Sequence, residues 1–304
     1  MALKLRLSQK NKDTNLLTNN DLRYLLKGFS IEVMPKTASK ITNFNSILPK
    51  GTNVYIAHLE GTLISEMIET SRTLKQSGFN PIPHFPARII PNKSTLEDWT
   101  NKYSSIGVNK ALLLAGSPKK QLGDYSNSME LLSTGLFDKH RFSEIFCAGH
   151  PEGNKDIDPD GSEENLMEAL KWKQDFSKST KIKISITTQF CFDVKPIIEW
   201  EKRLSLAKID LPINIGIAGP AKLQTMIKYA ILCGVGPSIK ILEKRAKDLT
   251  KLILPYTPKN FLTEIGNYKK VNKKTKIRSL HFFPLGGILN TTNFLNEIKR
   301  ENSI

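Results

Sequence analysis

Eight short strand-like runs recur along the chain with helical patterns between them, and this alternation narrows the available folds more than any other feature. The runs fall at 29–34, 53–57, 82–85, 110–115, 144–148, 183–192, 212–218 and 279–284. Between them, Ser94-Thr-Leu-Glu97 reads as a capping box, with Leu96, Trp99, Tyr103 and Ile106 at helical spacing. Ser162 precedes the acidic first turn of SEENLMEALKWK, and Pro237 opens a stripe of Ile239, Leu242, Ala246, Leu249 and Leu252. Strands alternating with helices pair in parallel, and eight of them favour closure into a (β/α)8 TIM barrel over an open doubly wound sheet. No G-x-G-x-x-G follows the first run.

A chain of 304 residues accommodates one such barrel as a single domain, 1–304. An extra helix over 21–27 is expected to close the barrel floor, with 1–20 a flexible or peripheral segment. Beyond Ala218 the rhythm loosens: Lys222 to Tyr268 can carry two or three helices without a clear strand, and KKVNKKTKIR reads as an exposed basic loop leading into the last strand.

The run IKISITTQFCFD separates two chemistries. By the period of two, Ile182, Ile184, Ile186, Thr188, Phe190 and Phe192 share one face, and Ser185, Thr187, Gln189, Cys191 and Asp193 share the other. The first face suits packing against helices. An inward glutamine in so apolar a strand must find a partner, and in a barrel a substrate can provide it. In GFSIEVMP the same parity places Glu32 inside beside Ser30 and Met34, while in PIPHFP it pairs His84 with Ile82.

Strand C-terminal ends build the site of such a barrel, and here they carry Glu32, His58 with Glu60, His84, Ser117, His150 with Glu152, Gln189 with Asp193, and Gly219. Burial is expected to raise the pKa of Glu32, which suits a proton donor near neutral pH; the bland alternative is an ion pair with Lys36 or an arginine. His84 is either a cofactor-orienting or proton-carrying group, or a hydrogen-bonded strand-end histidine. The loop 148–153 either wraps a ligand or is a plain turn, and Gly116-Ser117-Pro118 with Lys119 and Lys120 is a weak phosphate signal. Asp193 is expected to hold a loop. No metal is expected, since no close Asp/His cluster accompanies the strand-end histidines.

Composition bounds the partners. Three cysteines, Cys147, Cys191 and Cys233, lack metal or disulfide spacing, and no apolar run is long enough for a membrane span or signal peptide, so a cytoplasmic protein is expected. The net charge of +16 favours anionic partners, although a lysine-, asparagine- and isoleucine-rich chain also follows from an AT-rich genome. The lysines are dispersed without aromatic partners, which argues against nucleic acid.

The order of these motifs resembles the methylenetetrahydrofolate reductase family of flavin-dependent TIM barrels. Ser30-Ile-Glu-Val-Met-Pro35 is similar to its S-F-E-F-F-P, Pro83-His84 to P-H-L-T, Leu113-Leu-Ala-Gly116 to A-L-R-G-D, and Ala148-Gly-His-Pro-Glu-Gly153 to A-x-Y-P-E-G-H. Thr188-Gln-Phe-Cys-Phe-Asp193 is similar to T-Q-F-F-F-D, Asn214 to Pro220 to the I-P-G-I-x-P strand end, and Leu280-His-Phe-Phe-Pro284 to the closing F-H-F-Y. The departures are Ala115 and Ser117 for Arg and Asp, Tyr55 near a threonine, His150 and Asn154 for Tyr and His, and Gly286-Gly287 for Asn-Arg.

The resemblance implies an oxidoreductase interconverting 5,10-methylene- and 5-methyltetrahydrofolate with FAD and NADH or NADPH. It makes Glu32 the general acid and implies substrate contacts at Gln189, Phe190 and Leu223. Flavin contacts are implied at Tyr55, His84, Leu114, Ala115, Gly116, Ser117, Tyr125, Ala148, His150, Asn154 and Lys173. Tetrahydrofolate derivatives, including polyglutamylated ones, are the expected partners, and a homo-oligomer is compatible with the family. The alternatives are a flavin-free barrel that uses NAD(P)H directly or runs another folate one-carbon reaction, and a non-catalytic folate-binding barrel.

Overall fold

The computed structural model describes residues 25–116, 121–236, 238–246 and 255–301. Eight parallel strands close in sequence order: β1 (Ser30–Val33), β2 (Asn53–Ile56), β3 (Asn80–Pro86), β4 (Lys110–Leu114), β5 (Glu144–Gly149), β6 (Lys183–Cys191), β7 (Ile213–Ala218) and β8 (Ile277–Phe283). The ladder that completes the cylinder pairs Ser30 with His281 and Ile31 with Phe282. Each expected strand is present, and the (β/α)8 barrel read from the alternation is the observed architecture.

Helices cover the outside: α1 (Pro35–Ala38), α2 (Ile64–Gln76), α3 (Lys93–Ser105), α4 (Ser128–Ser133), α5 (Leu136–Lys139), α6 (Glu164–Ser179), α7 (Lys195–Leu206), α8 (Leu223–Leu232), α9 (Ile239–Ala246), α10 (Lys259–Val271) and α11 (Ile288–Glu301). Their apolar stripes meet the outward strand residues, as where Leu96, Trp99 and Tyr103 of α3 bury beside Phe85. The cap of α3 is Asn92, whose Oδ1 accepts the Thr95 amide at 2.9 Å, so the expected box at Ser94 begins too late. An asparagine before the helix offers the same acceptor as a serine, and extended backbone at Asn92 makes it the residue that uses it. For α6 the distant carboxylate of Asp158 takes the amides of Asn165 and Leu166 at 2.9 and 3.1 Å.

Most of the expected floor helix, 21–24, lies outside the described residues, as do Pro237 and 247–254 of the stripe it was to open. Leu25, Leu26 and Phe29 do join the core beneath β1. In the expected basic loop, Lys269, Lys270 and Val271 instead finish α10, because that helix continues its buried stripe of Phe261, Leu262 and Ile265 to the turn at Asn272. Among the described residues no helix is long and apolar enough to cross a membrane.

The barrel interior is layered. At the bottom, Glu144 holds Arg278 at 2.7 Å and Lys110 at 3.3 Å, accepts Ser185 Oγ at 3.1 Å, and adjoins Asn214, whose Oδ1 accepts Ser279 Oγ at 2.6 Å. Above it, Tyr55, Ile82, Leu112 and Phe146 form an apolar plug. The top layer is Glu32, His84 and His281.

β6 breaks the two-residue period. Its register with β7 runs from Thr187 against Asn214 to Phe190 against Gly216, so β6 holds one extra residue there. The bulge reverses the faces beyond it. Cys191 joins the outer core with Ile184 and Ile186, whereas Phe190 turns to the mouth and meets Phe283 at 5.3 Å between ring centroids. The uninterrupted alternation expected for this strand is therefore corrected after Thr187.

Candidate functional site at the barrel mouth

Glu32 rises from β1 between two imidazoles. His84 Nε2 of β3 lies 3.4 Å from Glu32 Oε2, and His281 Nε2 of β8 lies 3.8 Å from the same oxygen. Both imidazole nitrogens are buried without a hydrogen-bond partner. Lys36 is exposed and takes no part, so the partners of Glu32 are histidines rather than the lysine or arginine of the bland alternative.

The expected rise in the Glu32 pKa is overturned. Burial pushes it up and is the largest influence, but the approach of His281 and the nearby charges of His84 and His281 together hold it below the usual carboxylate value. Burial pushes His84 down to about 4, with only Glu32 opposing and His281 and His58 pushing the same way. At neutral pH the pair is thus a carboxylate beside a neutral imidazole. Among the described residues no group of three or more His, Cys, Asp or Glu is arranged for an ion.

An aromatic wall flanks this acid. His281 meets Phe283 edge-on at 4.6 Å, Phe283 meets Phe190, and Phe190 packs in one cluster with Phe192, Leu223, Met226 and Tyr256. Phe190 and Leu223 are thereby brought together, from β6 and the first turn of α8. Gln189 sits on the bulge, half-buried, and its Oε1 accepts the amide of Phe190 at 3.0 Å. Gly216 makes room for this turn, since a Cβ there would stand 2.3 Å from Thr188 O. Asp193 accepts the Lys195 amide at 3.0 Å and so holds the start of α7.

The strand ends of β3, β4 and β5 form the opposite arc. Leu114, Ala115, Gly116, Ala148, His150 and Asn154 are all half-buried there, and the side chains at 115, 116 and 148 are small. Asn154 Nδ2 reaches toward His150 Nδ1 at 3.4 Å, and burial, with Lys173 nearby, pushes His150 down to about 4. Lys173 itself is buried on α6. Arg88 fastens this side by its ion pair with Asp156 at 2.8 Å, while its backbone N–H donates to Ala115 O and its carbonyl accepts from Leu122. Ser117 lies outside the described residues.

Two tyrosines are packed into hydrophobic clusters. Tyr55 is fully buried in the interior plug with its hydroxyl 2.9 Å from Thr187 Oγ1, and Tyr125 is packed in the outer core. Both are occupied by packing. The loop after β5 is also structural in part, because Glu152 accepts the Ser238 amide at 2.7 Å and its hydroxyl at 3.0 Å, while that hydroxyl oxygen accepts from Phe192 N.

Sequence reasoning left out His281, Ser30 and Phe283 as site residues. The signal was present in β8, where Ser279, His281 and Phe283 alternate with Leu280 and Phe282 as cleanly as any strand in the chain.

No family model matches the chain. Among solved structures it is similar to an uncharacterized protein from Clostridium thermocellum that binds two copies of 5-methyl-5,6,7,8-tetrahydrofolic acid, at 13% identity and TM-score 0.57, over 93% of this chain and 98% of that one. Weaker likenesses are to the Yersinia pestis DHPS with a pterine-sulfa conjugate, at 10% identity and TM-score 0.45 over 91% and 93%, and to the dihydropteroate synthase of Vibrio fischeri, at 10% and 0.47 over 91% and 94%. At this identity what is shared with the Clostridium thermocellum protein is the barrel fold.

Proposed function

We propose that the chain is a folate enzyme that interconverts 5,10-methylene- and 5-methyltetrahydrofolate, as a divergent barrel of the methylenetetrahydrofolate reductase type. The observation that carries this reading is the carboxylate of Glu32 set between two buried, unpartnered imidazole nitrogens beside an apolar wall. A flat bicyclic heterocycle rich in N–H and ring nitrogen satisfies the Glu32 carboxylate and the His84 nitrogen while its faces bury against Phe190 and Phe283. The ligand of the Clostridium thermocellum barrel supports the same class of molecule.

Glu32 is charged in the free site, yet burial is the largest influence on it and grows when a ring displaces water. Binding therefore drives the carboxyl toward its protonated form, in which it can deliver a proton to a ring nitrogen and open a methylene bridge. Gln189 would release the Phe190 amide and turn its own amide to the pterin edge. The surplus of lysine and arginine suits the carboxylates of a glutamate tail.

The arc of small residues and the His84 Nε2, which makes no hydrogen bond, fit a flavin, which His84, Leu114, Ala115, Gly116, Ala148, His150, Asn154 and Lys173 would hold. A bound FAD would supply hydride exchange between NADH or NADPH and the folate carbon. A second reading, a folate barrel without flavin, is favoured by the packed positions of Tyr55 and Tyr125. The absorbance spectrum of the isolated protein, taken without oxygen before and after adding 5-methyltetrahydrofolate, separates them. A flavin band that bleaches supports the first reading. A colourless protein that still binds the folate supports the second, and absence of folate binding overturns both.

A further inference from the structure

Glu32 is faced by His84 from β3, His281 from β8 and Tyr55 from β2, and the Cys233 thiol beyond α8 is close enough to feel its charge. Of these groups His281 is the most tightly fixed. It is fully buried, with its ring 4.3 Å from Tyr55 and 4.6 Å from Phe283, and its Nδ1 lies 2.9 Å from Ser30 Oγ. Ser30 and His281 are register partners across the strand pair that closes the barrel, so the ladder itself sets this contact.

We propose, on the reading of the mouth as a pterin site, that His281 is the positioning residue for Glu32, with Ser30 selecting its tautomer so that Nε2–H faces the carboxylate. The Ser30 hydroxyl has one proton to give. Directed to Nδ1, it leaves the hydrogen on Nε2, toward Glu32 Oε2 at 3.8 Å. Directed instead to Leu280 O, at the longer distance of 3.4 Å, it would leave a lone pair of His281 facing an anion. The shorter contact and the sign of the neighbouring charge agree on the first arrangement. Glu32 follows Ser30 by two residues on the same face of β1, so one strand carries both the acid and the group that orients its partner.

The test follows the carboxyl carbon-13 signal of Glu32, assigned with Glu32→Gln, across a pH titration of the ligand-free protein. Replacement His281→Phe keeps the ring volume and removes both nitrogens; the Glu32 transition is expected to rise by about one unit or more. Ser30→Ala is expected to move it the same way by less. An unmoved transition in folded His281→Phe overturns the assignment. Should that variant not fold, Ser30→Ala decides alone, a rise supporting it and no change overturning it. Binding of 5-methyltetrahydrofolate to the unaltered protein is measured beside these; its absence ends the folate reading while the titration still judges the role of His281.

Discussion

A single hydroxyl illustrates how packing and chemistry divide the interior. Tyr55 was expected beside a flavin, yet its ring fills the plug and its hydroxyl reaches Thr187, which also receives Asn214 Nδ2 at 3.3 Å. Tyr55→Phe should therefore cost about 1 kcal/mol of stability, the ordinary worth of one buried hydrogen bond, and leave the proposed folate affinity unchanged. Urea denaturation with parallel ligand titration checks both halves, and a lost affinity would return Tyr55 to the site. Parity alone placed Glu32 and His84 on the inward faces of their strands, since an uninterrupted strand fixes which way each side chain points. It could not give the ionisation of Glu32, because that depends on His281, some 250 residues away and joined to it only when the barrel closes.

Among the elements, β6 was both the most informative and the most misleading. Its apolar first half was legible, with Ile184 and Ile186 outward and Ser185 and Thr187 inward, as expected. The extra residue after Thr187 leaves no mark in the local sequence; it is accommodated by the missing side chain at Gly216 in the next strand. Gly216→Ala places a methyl group against the Thr188 and Gln189 backbone and should destabilise the fold by about 1–3 kcal/mol or force the bulge to shift. Denaturation midpoints read the first effect, and loss of folate binding with retained helix signal reads the second. Helix caps were equally hard to place, as Asn92 and Asp158 show, because any nearby polar side chain with the right reach can serve.

Taken as a whole, the molecule should weaken in mild acid. His84 and His150 are both pushed down to about 4, whereas an exposed imidazole titrates near 6.5. Between those values the unfolded chain binds more protons than the folded one. Stability is therefore complete above about pH 6.5 and declines as the pH falls toward 4, by up to about 3 kcal/mol for each histidine. Glu32, held low, adds its loss only below the ordinary carboxylate value of 4.5. Urea midpoints at pH 7 and pH 5 measure the decline; equal midpoints would refute it, and His150→Gln should flatten the curve.

The eightfold alternation made the architecture legible because parallel strands joined by helices have few ways to close. The ions sealing its lower end, Glu144 with Lys110 and Arg278, have a kinetic corollary. With that exit stoppered, a pterin held at the mouth as proposed should leave past the rim, where Arg88 and Asp156 are paired, rather than through the cylinder.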